Sequence, residues 1–343
     1  MSRRPTITDL AAAAGVSVAT VDRVLNARHP VREATARRVY EAASTIGYHA
    51  TELVRHRLNQ NLPFYRLGFL LQRPEQHFYQ ALAQAISAAI EDAVTFRGAA
   101  RIEYAQSQTP AEVVAKLKAV AARSQAVAMV AIDHPTITAA VAELRDTDIP
   151  VFSLLSDSAD SVRTAYIGLD NRKSGRTAGW FIAKTAKAPG KVAIFVGSHR
   201  FLGQELREIG LRTYFRENAP EFEVLDTLVN LETPAIAHEA MLDLLKRHKD
   251  LTGIYVAGGG MEGVVAALRE ESTGRRLVAV CPELTPVSRS ALADHIIQAV
   301  IGTPLPLLAE RLVGLMARAL EQGESELPAS IYLPFDIYIS ENI

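Results

Sequence analysis

The chain has 343 residues, 48% of them hydrophobic, with 37 Lys or Arg against 38 Asp or Glu. That length suits two or three folded units of about 150 residues each, and the composition is that of a globular protein rather than a disordered one. No uncharged apolar run reaches the roughly 18 residues of a helical membrane span, and Met-Ser-Arg-Arg-Pro-Thr leads into no apolar secretion signal, so a cytoplasmic location is expected. Cys281 is the only cysteine, so no internal disulfide can form. It reads as a small buried hydrophobe in a reducing compartment.

The charge is unevenly spread. Residues 1–60 hold nine Arg and no Lys against five Asp or Glu, a net +4, which leaves −5 for the rest of the chain. A basic N-terminal unit on an acidic body points to a polyanion partner for that unit alone. Thr6-Ile7-Thr8-Asp9 predicts a capped helix start. Leu10 and Ala13–Ala14 continue its apolar face, and Gly15 supplies the left-handed stop. Ser17 caps a second helix over 18–25, and a third fits 33–46 before Gly47. Two short helices joined at a glycine and followed by a third predict a helix-turn-helix domain. Its second helix would enter the DNA major groove, where small residues allow close approach and an Arg reaches guanine.

The stretch from Thr6 to Tyr48 closely resembles the headpiece of the LacI/GalR family of bacterial repressors. It shares the Asp-Leu-Ala, Ala-Gly-Val-Ser, Thr-Val, Arg-Val-Leu-Asn, Thr-Ala-Arg and Gly-Tyr elements at the same spacing. The resemblance implies base reading by Val18, Ala19 and Arg23. It implies phosphate contacts from Ser17, Thr20 and Asn26, with Thr6 as the cap of the first helix. Asp22 stands where the family usually has Ser, and is expected to accept a bond from a cytosine amino group or to pair with a neighbouring Arg. The next segment matches the family's hinge helix, with Leu58 as the minor-groove wedge and Arg55 and Arg57 beside it along the phosphates. The hinge departs from the usual pattern: Pro-Asn does not follow the Tyr, and Arg55 replaces a small residue.

From Tyr65 onward, apolar runs alternate with amphipathic segments. Strands are expected at 66–72, 126–133, 150–156, 191–197, 253–259 and 277–283. Helices are expected at 79–93, 110–123, 136–146, 172–187, 203–217, 234–248, 261–270 and 305–321, with a last strand in 334–342. Such alternation builds parallel α/β sheets, and about 280 residues is too many for one such sheet, so two lobes are expected. The organisation is then a headpiece over 1–49, a hinge over 50–62 and a two-lobed α/β body over 63–343.

Ligands of such sheets bind beyond the strands' carboxyl ends. Those ends carry Gln72, Phe78 and Tyr79, Asp133, Ser156 and Asp157, Asp170 and Asn171, Arg207, Gly260 and Met261, and Glu283. The layout resembles the periplasmic sugar-binding-protein fold, ribose-binding branch, that forms the effector domain of LacI/GalR repressors. The resemblance implies stacking by Phe78 and Tyr79, and polar contacts from Asn171, Arg207 and Glu283. Ser156-Asp157, Gly260-Met261 and Gly302 replace the family's Asp-Arg, Asn-Asp and Gln, so the expected effector is a sugar, polyol or sugar-derived metabolite rather than a plain aldopentose.

No nucleotide loop, metal cluster or nucleophile elbow is evident, and no cofactor is expected. The expected partners are therefore operator DNA, a small polar effector and a second copy of the chain in a homodimer. The competing class is a sugar-binding or sugar-modifying protein without a DNA role. The basic headpiece argues against it.

Overall fold

In a computed structural model of the protein, the described residues are 4–26, 31, 33–49, 62–270 and 277–343. They form two compact units, Met1–Tyr65 with Glu91–Gly98, and Arg66–Ile90 with Ala99–Ile343.

The first unit opens with helices α1 (Ile7–Ala14), α2 (Val18–Asn26) and α3 (Glu33–Ile46). Thr6 and Asp9 form a reciprocal capping box that satisfies orphan N–H groups at the start of α1. Gly15 has φ +61°, and its left-handed turn lets Val16 N–H reach the Ala11 carbonyl at 3.0 Å. Ser17 Oγ then accepts from Thr20 N–H at 3.1 Å and starts α2. Leu10, Val21, Val39 and Ala43 make the centre of a small core, which Tyr48 closes after Gly47.

In the body, a six-stranded sheet runs in the order β12-β5-β4-β3-β1-β2. Its strands are β1 (Phe64–Gln72), β2 (Arg97–Ala105), β3 (Ala126–Met129), β4 (Val151–Leu154), β5 (Ala165–Leu169) and β12 (Ser330–Leu333). Its helices are α4 (His77–Glu91), α5 (Pro110–Ala121), α6 (Pro135–Arg145) and α12 (Leu305–Gln322). The pairings β1–β3, β3–β4, β4–β5 and β5–β12 are all parallel.

The second sheet runs β13-β11-β10-β9-β6-β7, with β8 also on β6. It comprises β6 (Lys191–Val196), β7 (Glu223–Val224), β8 (Leu228–Val229), β9 (Leu251–Val256), β10 (Val278–Pro282), β11 (Ala299–Gly302) and β13 (Asp336–Tyr338), the last antiparallel. Helices α7 (Asn171–Thr185), α8 (Leu202–Asn218), α9 (Pro234–Arg247), α10 (Met261–Glu270) and α11 (Pro286–Ala293) belong to this lobe. Apolar clusters line both faces of this sheet, one around Phe195, Ile254 and Cys281, the other around Ile194, Phe215 and Tyr255. Cys281 is fully buried, and burial pushes its thiol well up, so it sits in the core as an inert hydrophobe.

The chain passes between lobes three times: from β5 to α7, from β11 to α12, and from β12 to β13. Strand order reverses beside β1 in one sheet and beside β6 in the other. Each reversal opens a crevice at the carboxyl ends of the strands, and the loops that leave β1, β6 and β9 face it. Among the described residues, no helix is long and apolar enough to cross a membrane.

Candidate functional site

The headpiece offers one polar face. Val21 and Val24 point α2 into the core, which turns Ser17, Val18, Ala19, Arg23 and Asn26 outward. Val18 is 42% exposed. Ser17 and Thr20 share a hydroxyl–hydroxyl bond of 2.8 Å at the start of the helix. Asp22 accepts from Asn26 Nδ2 at 2.6 Å, one helical turn on. Among the described residues its hydrogen-bond partner is thus this amide. Arg55 and Leu58 lie outside the described residues.

The second site is a cleft, open at its mouth, between the two lobes. The first lobe contributes Phe78 and Tyr79 from the start of α4, together with Val130 and Ser156. The second contributes Arg207, Met261 and Glu283. Phe78 and Tyr79 meet edge to face, with ring centroids 5.2 Å apart. Burial pushes the Tyr79 phenol well up, so it stays protonated.

Arg207 is held by close helix packing. A Cβ at Gly175 would strike the backbone carbonyl of Arg207, and one at Gly210 would strike that of Arg172. The two glycines therefore let α7 and α8 cross backbone to backbone. That crossing brings Arg207 Nε to Asn171 Oδ1 at 2.8 Å and one Nη to the Ala257 carbonyl at 3.0 Å. Asn171 Nδ2 in turn donates to the Leu155 carbonyl at 3.3 Å and to Tyr166 Oη at 3.2 Å. Asn171 does not line the cleft; it anchors the Arg that does.

Glu283 has φ +59°, a left-handed conformation rare for a non-glycine residue. Leu155 and Glu232 share it at φ +65° and +54°, so three strand-end loops around the cleft carry backbone strain. Thr303 N–H and Oγ1–H donate to the two oxygens of Glu283 at 2.8 and 2.7 Å. Burial still pushes the Glu283 carboxyl up.

Three other strand-end residues stand apart from the lining. Gln72 is buried and donates to the Val130 carbonyl at 2.6 Å, tying β1 to the end of β3. Asp133 is exposed; its N–H bonds the Arg200 carbonyl across the lobes at 2.9 Å. Asp157 makes a two-point ion pair with Arg163 at 2.5 and 2.6 Å, and Arg163 also holds the Ala329 carbonyl ahead of β12. Gly260 has φ +88°, and a Cβ there would meet Asn230.

Sequence reasoning overlooked Glu232 and Gln204. Glu232 is 5% exposed and lines the cleft; Gln204 Nε2 donates to its Oε1 at 2.7 Å. The strand before Glu232 is the two-residue β8, too short for a hydropathic run. Its signal was Asn-Leu-Glu-Thr-Pro, an acid just ahead of a Pro-started helix. Among the described residues, no group of three or more His, Cys, Asp or Glu is placed to hold a metal ion.

Residues 67–325 match the family profile described as periplasmic binding protein domain, and residues 6–51 match that of bacterial regulatory proteins, lacI family. No curated protein matches the chain. Among solved structures, a transporter solute-binding protein from Agrobacterium vitis, bound with alpha-D-tagatopyranose, is similar at 18% identity and TM-score 0.74. The match covers 81% of this chain and 95% of that one. A glucose-galactose binding protein from Geobacillus stearothermophilus gives 19% identity and TM-score 0.73, over 81% and 98%. An arabinose binding protein from the same organism gives 18% and 0.69, over 82% and 98%. At these identities the likeness is one of fold.

Proposed function

This chain belongs to the periplasmic binding protein domain family, with a lacI-family regulatory headpiece ahead of that domain, and on that premise we propose that it is a ligand-responsive transcription regulator. It binds a palindromic operator as a homodimer, acts as a repressor, and senses a small sugar or sugar-derived metabolite. The observation that carries this reading is the outward face of α2, where Val18, Ala19 and Arg23 are exposed while Val21 and Val24 are buried. Small side chains there allow approach to base edges, and Arg23 has the reach and donor geometry for guanine. Ser17, Thr20, Asn26 and Thr6 supply phosphate contacts. Leu58 and Arg55 belong to the same reading as the minor-groove wedge and its flanking cation.

The effector side rests on the cleft. Solved proteins of the same fold carry tagatopyranose or are named for glucose, galactose and arabinose. Tyr79 and Arg207 come from different lobes. A ligand that bonds both favours the closed arrangement of the lobes, and in a dimer that shift alters the spacing of the paired headpieces.

The test is selection of duplexes from a randomised pool by the full chain. We expect an inverted repeat whose half-sites lie on one face of the duplex. Recovered sequences without twofold symmetry, retained equally by the Arg23→Ala variant, would remove the regulator reading.

A further inference from the structure

We propose that Glu232 determines effector specificity: it makes the cleft a site for an uncharged polyhydroxylated molecule and turns away one carrying a carboxylate or phosphate. The proposal rests on the sugar-sensing reading above and narrows it.

The sequence around this acid is shaped to contain it. A Cβ at Gly197 or Gly259 would strike the Glu232 side chain, and one at Gly258 would strike Gln204. Three glycines thus vacate the volume that a buried acid–amide pair fills. The pair is fixed by the Gln204 bond to Oε1, and Gln204 Oε1 in turn accepts from Gly197 N–H at 2.6 Å. Gly259 N–H adds a long contact to Glu232 Oε1 at 3.5 Å. Asn230 Oδ1 accepts from the Glu232 N–H at 2.8 Å and holds the left-handed turn.

Among the described residues nothing donates to Glu232 Oε2, although the residue is 5% exposed and lines the cleft. The same holds for two neighbours. Arg207 spends Nε and one Nη on Asn171 and Ala257 and keeps its other Nη unpaired. Tyr79 lines the cleft with them, and its Oη has no hydrogen-bond partner among the described residues. These three residues therefore offer a ligand one acceptor, one cationic donor and one phenol that does either. Hydroxyl groups both donate and accept, so adjacent hydroxyls satisfy all three without adding charge.

An anion fares worse. Glu232 and Glu283 flank the cleft, while Arg73 donates to the backbone carbonyls of Leu231 and Glu232 at 2.9 and 3.4 Å rather than to a carboxylate. The lining thus carries three carboxyl groups, Glu232, Glu262 and Glu283, against the one guanidinium of Arg207, with Arg73 close enough to act on Glu232. A ligand carboxylate set against the ionised Glu232 Oε2 meets a like charge with no proton between the two. Burial raises the Glu232 carboxyl, and the Gln204 bond and the two Arg side chains oppose that rise.

The test is titration calorimetry on the full chain with D-galactose, L-arabinose, D-ribose, D-mannitol and myo-inositol, set against D-gluconate, D-galacturonate and D-glucose 6-phosphate. We expect the tightest binder among the neutral compounds, with every anionic one at least 100-fold weaker. Glu232→Gln keeps an oxygen for Gln204 and replaces the free acceptor by a donor. It should lose at least tenfold in affinity for the neutral ligand and narrow the neutral-to-anionic ratio at least tenfold, with a melting temperature showing it folded. A tightest ligand that is anionic, or a Glu232→Gln variant with unchanged affinity and ratio, would overturn the role of Glu232 while leaving sugar sensing intact. Silence from every compound, in calorimetry and in melting temperature, would instead remove the sugar-sensing reading, and this proposal with it.

Discussion

Arg23 and Glu232 carry opposite kinds of cost. Arg23 is exposed on α2 and contributes little to the packing of its unit. Its removal should leave stability unchanged and act on DNA alone. Arg23→Ala is expected to weaken operator binding by roughly 1–3 kcal/mol and relax preference at one base pair of each half-site. Anisotropy titrations against the selected duplex and its single-base variants read both effects. Glu232 is different, because burial raises its carboxyl above the usual range. A raised folded-state pKa favours the protonated form. The group's contribution to stability is therefore full below its unfolded-state pKa and is lost as pH rises through the folded-state value. Glu232→Gln mimics the neutral form at every pH. Without effector it should melt above the parent at pH 8, and the gap should shrink as pH falls toward the usual carboxylate range. A gap that stays constant with pH would show that folding does not shift the Glu232 carboxyl. A buried acid that costs stability yet faces a cleft fits a binding role, where function and stability trade off.

Helices α7 and α8 decide where Arg207 stands. Gly175 and Gly210 permit their backbone approach, and a methyl group at either would meet a backbone oxygen that cannot step aside. Gly175→Ala is expected to destabilise the body by about 1–3 kcal/mol through overpacking. It should also loosen effector binding by displacing the Asn171–Arg207 bond. Arg207→Ala should abolish effector binding with a smaller loss of stability, and both variants should still bind operator. Calorimetry and thermal melting on the same preparations separate the two.

Elements with a strong pattern were legible in the sequence. The capping pair Thr6 and Asp9, the turn at Gly15 and the buried β1, β6 and β9 announce themselves in residue type. So did the cleft's Phe78, Tyr79, Arg207 and Glu283, which follow or precede such elements. Strand β2 was not legible, since Arg97–Ala105 sits at the sheet's end and mixes polar with small residues. The four-residue β11 and the eight-residue α11 are too short to show a period. The expected strand over 126–133 pairs only to Met129, because its apolar continuation leads into the cleft and the contact between lobes. Asp157 illustrates a further limit: its place at a strand end fitted ligand binding, but its partner Arg163 is six residues on and claims both carboxylate oxygens.

At the scale of the whole molecule, two separately packed units, each with its own proposed partner, give a chain that could couple them. The headpiece has its own core around Leu10 and Val39, while the body carries the cleft. If the effector changes operator affinity by some factor, thermodynamic linkage requires the operator to change effector affinity by the same factor per site. Coupling between sites typically lies in the range of about 1–3 kcal/mol, or ~5–150-fold. The decisive measurement is therefore reciprocal: effector affinity by calorimetry with and without saturating operator duplex, and operator affinity by anisotropy with and without saturating effector, all on the full chain. Equal factors, clearly different from one, are expected from both directions, and in Arg207→Ala added effector should leave operator affinity unchanged. Effector and operator binding that are each tight but wholly indifferent to one another would contradict a ligand-responsive regulator.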